Sequence, residues 1–206
     1  MGVKKYRNGF KVTVHDDALD KPRKLKKPQI IFVNSMGDLF HDDVPDEFIG
    51  KVFEIMETCP RHVFQVLTKR SHRLRELAGS LPWPNNVWMG VTVENSRCLY
   101  RVDDLLQTGA YIKWLSCEPL LGPLDNLDLS HIDWVAVGGE SGPGARPMDE
   151  TWVLDLRDRC QANDVAFCFS HWGGVNKKKT GRLLEGKIYD EMPDCPQFVS
   201  GQVSLF

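Results

Sequence analysis

The chain has 206 residues, of which 42% are hydrophobic and 26% are charged, and its formal net charge is −2. This composition is typical of a single soluble globular domain with a sizeable core. The small net charge excludes a general electrostatic attraction to nucleic acid or to anionic membranes. No apolar stretch approaches the roughly 20 residues that a membrane-spanning helix needs. We therefore expect a cytoplasmic protein without a membrane partner.

The first 28 residues differ in composition from the rest of the chain. They contain nine Lys or Arg residues against three Asp residues. Such a basic N-terminal arm is either a solvated, partly mobile segment or an electrostatic contact for nucleic acid or another anion. Residues 29–206 are predicted to form one domain, in which the part from about residue 175 covers the rest as a hairpin or an irregular segment.

From residue 29 onwards, apolar runs alternate with amphipathic segments, which is the pattern of strand–helix units. Six runs are predicted as strands: residues 30–33, 62–67, 87–93, 111–115 and 165–170, and the run that leads into Gly138. Helices are predicted after Pro45 (with Phe48, Val52, Ile55 and Met56 facing the core), after the cap Ser71, around Val102, and after the N-cap Asp149. Strands that alternate with helices in this way predict a parallel sheet.

Polar side chains follow every predicted strand. They are Ser35 and Asp38, Thr68 and Lys69, Glu94 and Asn95, Ser116 and Glu118, Glu140 and Ser141, and His171. In a barrel these ends converge on one mouth, whereas an open sheet brings them together only at the switch point of its strand order. The even spread of polar groups favours an α/β fold with a partial (β/α) barrel of about six parallel strands, similar to part of a TIM barrel.

The strongest local motif is the Gly-Gly-Glu-Ser-Gly loop at 138–142, which Arg146 follows. The backbone amides of its glycines could ring an anion, and Glu140 could accept hydrogen bonds from an ammonium or a hydroxyl group. The alternative is a tight turn in which Glu140 caps backbone amides. The loop matches neither the dinucleotide-binding glycine motif nor the P-loop, so it predicts no particular nucleotide.

Other strand-end residues carry groups that are typical of catalysis or substrate binding. Glu94 and Glu118 could act as a paired acid and base, or they could be ordinary solvated or Arg-paired carboxylates. Lys69 and Arg70, which follow Thr68, could hold the phosphate or carboxylate of a substrate. All five residues are therefore candidates for a site at the strand ends.

His171 and Trp172 follow the last predicted strand. His171 could act as a general base or be an ordinary hydrogen-bonded histidine, and Trp172 could stack on a base or another ring of a substrate. No cluster of His and Asp residues predicts a metal site. The six cysteines, at 59, 98, 117, 160, 168 and 195, form no Cys-x-x-Cys pair. We therefore expect most of them to be small buried residues.

Several stretches together resemble one known family. They are residues 31–41, 64–70, 81–88, 118–124, the loop 138–147, and Trp172-Gly173-Gly174. In order along roughly residues 6–190, they are similar to the phage-associated three-cysteine-motif family, also called the phage gene-product thirty-seven/sixty-eight family. The resemblance implies a protein of a phage or its bacterial host.

Members of that family are similar to radical S-adenosylmethionine (SAM) enzymes. The resemblance implies a partial (β/α) barrel, a [4Fe–4S] cluster on three cysteines, and SAM bound at the strand ends. The candidates for cofactor binding in this chain are Ser35, Asp38, Gly138, Gly139, Glu140, Ser141 and Arg146.

Two features of this chain depart from the family pattern. The family's cysteine motif lies upstream of a Tyr-x-x-Gly-Phe motif, which here begins at Tyr6. No cysteine precedes Cys59 in this sequence. Because three thiolates hold such a cluster, we expect its ligands to be missing here through natural loss, truncation or a mis-called start. In addition, the Gly-Gly-Glu motif of radical SAM enzymes normally follows the second strand, whereas here it follows the fifth predicted strand.

Three functions are consistent with these residues. The first is a radical-SAM-like barrel without cluster chemistry that binds SAM or a nucleotide-like ligand, with a small-molecule or nucleic-acid substrate; a longer native chain with the cysteine motif would restore the enzyme. The second is a non-catalytic module that binds nucleic acid or a partner protein through its basic segments. The third is a cluster-independent hydrolase that uses Glu94, Glu118 or Glu140 as acid and base.

Overall fold

A computed structural model describes residues 11–34 and 37–194 of the chain. Six parallel strands form one sheet, in which each strand pairs with its neighbours in sequence. They are β1 (Ile30–Val33), β2 (Val63–Thr68), β3 (Val87–Thr92), β4 (Ile112–Cys117), β5 (Trp134–Gly138) and β6 (Ala166–His171). Because crossovers between parallel strands are right-handed, this order places the helices on one side of the sheet. The sheet forms a half-barrel, which confirms the predicted partial (β/α) barrel.

Six helices are present in the described ranges. They are α1 (Lys21–Lys24), α2 (Asp46–Glu57), α3 (Ser71–Leu77), α4 (Tyr100–Leu106), α5 (Glu150–Ala162) and α6 (Lys177–Thr180). The predicted N-cap of α5 is confirmed, because Asp149 Oδ1 accepts a hydrogen bond of 2.8 Å from Thr151 N. None of these helices is long and apolar enough to cross a membrane.

The helix-bearing side of the sheet contains the larger core. Alternate strand residues such as Val66, Met89 and Phe167 point into it and are fully buried. Helix α2 faces this core with Ile49, Phe53 and Met56. The face predicted for α2 is therefore wrong by about one position. Of the four predicted residues, Met56 is buried, whereas Phe48, Val52 and Ile55 are only partly buried.

The opposite, concave side of the sheet carries a second buried cluster. It consists of Val63, Trp88, Ile112, Trp114, Trp134, Ala136 and Cys168. Strand register arranges the concave side in layers, of which one contains Leu67, Gly90, Trp114, Trp134 and Ala166. The next layer towards the strand carboxyl ends contains Thr92, Ser116, Ala136 and Cys168. Trp88, Trp114 and Trp134 therefore form an aromatic floor below a layer of small side chains.

The three tryptophans of this floor pack together. The ring centroids of Trp114 and Trp134 are 5.0 Å apart, and Trp88 meets Trp134 edge-on at 6.2 Å. Trp114 lies directly over Gly90, where an added Cβ would be 2.6 Å from Cδ2 of the ring. Gly90 therefore allows the closest approach of a large ring to the sheet.

His62 joins part of the predicted N-terminal arm to the domain. Its fully buried ring accepts a hydrogen bond at Nδ1 from Gln29 N (3.2 Å), and Nε2 lies 3.1 Å from the carbonyl oxygen of Pro22 in α1. Burial lowers the pKa of His62, a shift that the bond to Pro22 opposes. The neutral ring is thus a structural link between residues 22–29 and the start of β2.

The tail from about residue 175 lies against β6. Phe169 N donates to Tyr189 O (2.8 Å), and Glu191 N donates to Phe167 O (3.2 Å). Cys168 and Asp190 form an antiparallel bridge. A short segment of the tail therefore covers the outer edge of β6, while the division of the chain at residue 28 stays a prediction.

Candidate functional site

The carboxyl ends of the six strands form one edge of the half-barrel, and most predicted site residues lie there. Asp38, Lys69 and Arg70 surround the ends of β1 and β2, and Glu94 follows β3. Glu118 follows β4, Gly138 ends β5, and the loop after β5 contributes Gly139, Glu140 and Ser141. Ser35, the remaining candidate near β1, lies outside the described residues.

Asp38 connects the first two strand ends. Its Oδ1 accepts hydrogen bonds from Phe40 N (2.9 Å) and Thr68 Oγ1 (2.7 Å), and its Oδ2 accepts from Lys69 N (3.1 Å) and Arg70 Nη1 (3.0 Å). Four donors therefore occupy one carboxylate. Asp38 and the buried Thr68 hold the loops together, and neither is left open to a ligand.

Glu94 is the centre of a second network. Its Oε1 accepts from Lys69 Nζ (2.5 Å), and its Oε2 accepts from Arg101 Nη1 (2.8 Å), which also donates to the carbonyl oxygen of Thr92. Burial opposes ionisation of Glu94, but the hydrogen bond and charge of Lys69 and the charge of Arg101 outweigh it and lower its pKa. Glu94 is thus a carboxylate that stays ionised, as in the Arg-paired alternative.

Arg101 is a site residue that the sequence analysis missed. It lies in the first turn of α4, where basic residues are usually exposed, yet only 13% of its side chain is exposed. The available signal was the seven-residue separation from Glu94, which is too common a spacing to identify a pair.

Glu118 differs from the other strand-end carboxylates. Its Oε2 accepts a long hydrogen bond of 3.4 Å from Ser116 Oγ, and its Oε1 lies where a Cβ at Gly138 would be, at 2.7 Å. Within the described part of the chain, no ion pair involves Glu118. A half-buried anion therefore lies on the β5 glycine without a cationic partner.

The glycines of the loop after β5 serve close packing against the loop after β6. A Cβ at Gly139 would lie 2.6 Å from the carbonyl carbon of Trp172, and a Cβ at Gly173 would lie 2.6 Å from that of Gly139. Gly139 N donates to His171 O (2.9 Å), and Gly142 N donates to Gly174 O (3.1 Å). These two amides are therefore bonded within the protein, which removes them from the predicted anion-binding ring.

Glu140 is paired with Arg146 from the same loop. Arg146 Nε and N both donate to Glu140 Oε2 (2.8 Å), and Arg146 Nη2 donates to Oε1 (2.7 Å). These hydrogen bonds lower the pKa of Glu140 to about 2. The predicted alternative, in which Glu140 caps a backbone amide of its turn, describes this geometry, and Arg146 adds the guanidinium contact.

The residues after β6 lie beside this loop. His171 is in register with Gly138 and is half-buried. Trp172 packs edge-on against Phe169, with centroids 4.8 Å apart, and its Nε1 donates to Leu183 O (2.9 Å). Trp172 thus belongs to the packing of the tail, while its predicted stacking on a substrate ring stays a prediction.

The described cysteines do not form a cluster site. Cys117, Cys160 and Cys168 are buried on different elements, and burial raises the pKa of all three, to about 12 for Cys160 and Cys168. Thiols of this kind are poor sources of the thiolates that iron requires. Across residues 11–34 and 37–194 no group of three potential metal ligands occurs, and Cys195 lies outside these ranges. The described residues do not fit a [4Fe–4S] cluster.

Comparison with known proteins identifies one family. A family model described as "Protein of unknown function (DUF5131)" matches residues 1–193. No curated protein and no solved structure matches the chain.

Proposed function

The chain belongs to the DUF5131 family of proteins of unknown function, and we propose that it binds SAM or a similar cationic, nucleotide-like ligand at the strand carboxyl ends. The half-barrel provides the location, because ligand sites of parallel (β/α) proteins lie at this edge. The sequence resemblance to phage-associated, radical-SAM-like proteins supports SAM as the first ligand to test. No reaction step through an iron–sulfur cluster is part of this proposal.

The observation that carries the proposal is the carboxylate of Glu118. Asp38, Glu94 and Glu140 each have a basic partner at 3.0 Å or less, whereas Glu118 has none among the described residues. An anion that is half-buried without a counter-charge attracts a cation more strongly than one in open water. The sulfonium group of SAM would supply that charge.

Small side chains lie beneath Glu118. The layer between it and the tryptophan floor consists of Thr92, Ser116, Ala136 and Cys168, all of them buried. Ser116 Oγ offers a hydroxyl beside the carboxylate. In this proposal Glu118 binds the cation, and Glu94 and Glu140, already paired, shape the mouth.

A comparison of SAM with S-adenosylhomocysteine tests the role of charge. The two molecules differ by the methyl group that makes the sulfur a cation. The difference between their dissociation constants, measured by titration calorimetry, therefore reports how much that charge contributes to binding. We expect SAM to bind about tenfold more tightly, as for one charge-assisted contact. Glu118→Gln should bring the ratio of the two dissociation constants close to one.

Glu57→Gln is the matched control for this substitution. Glu57 ends α2 and is exposed, and the chain leads from there to the amino end of β2, so this variant loses the same charge away from the mouth. It should keep the wild-type ratio. Equal affinity of the wild type for the two compounds, or a ratio that Glu118→Gln leaves unchanged, would show that Glu118 does not bind the sulfonium.

The two alternative functions predict other outcomes. A nucleic-acid-binding module would bind neither compound and would bind oligonucleotides with strong salt dependence. A cluster-independent hydrolase would show iron-free activity with a bell-shaped pH profile. A protein-binding module would show none of these activities.

A further inference from the structure

Two hydrogen-bond donors on the concave side of the half-barrel have no acceptor. They are Nε2 of Gln65, a residue that is 5% exposed, and Nε1 of Trp134, which is 4% exposed. Within the described residues no oxygen or nitrogen accepts from either group. Because buried donors are nearly always bonded in folded proteins, each such group requires a specific explanation.

Both donors lie at the aromatic floor. Gln65 lies on β2 in register with Phe32 on one side and Trp88 on the other. Trp134 lies on β5, and its ring contacts the rings of Trp88 and Trp114. Trp88 is therefore a neighbour of both residues.

An exposed aromatic ring lies next to the same place. Phe32 is 42% exposed although it lies on the concave side, where its ring meets Trp114 edge-on at 6.3 Å. Large exposed apolar side chains within a concave surface are typical of ligand contacts. Phe32 thus provides an exposed ring beside Gln65, the residue that carries one of the two donors.

We propose that this floor binds a planar heterocycle with hydrogen-bond acceptors, of the nucleobase class, which accepts from Gln65 and Trp134 and stacks on Phe32. Aromatic side chains stack on the face of any base, while ring nitrogens and carbonyl oxygens are the acceptors that the two donors lack. An aliphatic ligand would leave both donors unsatisfied.

This inference names the substrate class of the site in the proposed function and rests on that function for the use of the concave side. The two ideas concern different groups. Glu118 responds to the positive charge of a ligand, whereas Gln65 and Trp134 respond to the acceptors of a ring. Experiments on charge and on ring acceptors can therefore fail separately.

Calorimetry with adenosine, guanosine, cytidine and uridine, and with ribose as the base-free control, tests the inference on the full chain. At least one nucleoside should bind, and ribose should not. Gln65→Met removes one donor and keeps a similar side-chain volume, whereas Trp134→Phe removes the other donor together with part of the ring. Each should weaken nucleoside binding about tenfold, the usual effect of one lost hydrogen bond in a buried site.

Trp83→Phe is the matched control, because Trp83 packs against the core on the helix-bearing side and its Nε1 already donates to Ala78 O at 2.9 Å. This variant should lower the melting temperature but keep the preference for nucleoside over ribose. Gln65→Met should leave the melting temperature of the free protein unchanged or raise it, since the donor it removes is unsatisfied there. Trp134→Phe also removes ring volume from a buried cluster and should lower the melting temperature through lost packing.

Three results would overturn the inference: nucleosides that bind no better than ribose, unchanged affinity in both donor variants, or a Gln65→Met variant that loses as much stability as Trp83→Phe. A preference for SAM over S-adenosylhomocysteine that depends on Glu118, without a preference for nucleosides, would refute the base site alone. The opposite pair of results would refute the cation site alone.

Discussion

Substitution of Gly90 by alanine tests whether the tryptophan floor depends on a missing side chain. Gly90 lies in β3 beneath Trp114, and an added Cβ would be 2.6 Å from ring atoms Cδ2 and Nε1. Carbon atoms prefer separations of about 3.5–4.0 Å, so the ring would have to retreat by about 1 Å. It has little space to do so, because Trp134 lies 5.0 Å away between ring centroids.

Overpacking of this kind costs about 1–3 kcal/mol of unfolding free energy. For a chain of this length, that loss lowers the melting temperature by about 2–12 °C. Urea unfolding followed by tryptophan fluorescence, with thermal unfolding by circular dichroism, measures both quantities. In a Trp114→Phe background, Gly90→Ala should cost clearly less, because the smaller ring leaves room for the methyl group.

Gly50→Ala is the control with the opposite sign. Gly50 lies inside α2, and an added Cβ there would meet nothing within 4 Å. Alanine should therefore stabilise the protein by about 0.5–1 kcal/mol through helix propensity. The reasoning fails if Gly90→Ala is neutral or stabilising, or if its cost is the same with and without the indole of Trp114.

Two further predictions concern buried polar groups outside the candidate site. The lowered pKa of His62 means that the unfolded chain binds a proton below pH 6.5 that the folded chain does not, so the free energy of unfolding should fall as the pH drops below 6.5. Urea titrations at several pH values should show this slope, and its absence would contradict the buried neutral ring. Asp104→Ala removes the buried acceptor of Ser71 Oγ (2.6 Å) and Arg75 Nη1 (2.7 Å) and should cost about 2–3 kcal/mol. The exposed neighbour substitution Asp103→Ala should change stability by less than about 0.5 kcal/mol, and similar losses in both variants would contradict this account.

Much of the fold was predictable because the evidence for it is local. The apolar runs and the Gly and Pro breaks between them identify six strands, and the polar residues after each strand indicate a common mouth. The face of α2 was not predictable from the same pattern. Its apolar stripe is wide enough to allow either of two rotations, and the contact of Phe53 with Trp83 at 5.2 Å is formed only in the folded chain.

The chemical state of each candidate residue depends on partners that are distant in sequence. Glu94 pairs with Lys69, 25 residues earlier, and Asp38 pairs with Arg70, 32 residues later. No spacing rule connects such residues, because the register of neighbouring parallel strands sets which of them meet. The sequence therefore identified the carboxylates of the mouth but not which of them remains without a counter-charge.

By itself, the sequence determined the half-barrel, the edge at which its polar residues gather, and the absence of a cysteine motif before Cys59. Within the described residues, the tertiary structure decided that the loop glycines serve packing, that Glu118 has no cationic partner, and that Gln65 and Trp134 are buried donors without acceptors. The physical reason is the range of the interactions. Hydrophobic periodicity acts over a few residues, whereas ion pairs, hydrogen bonds and close ring contacts join groups that only folding brings together.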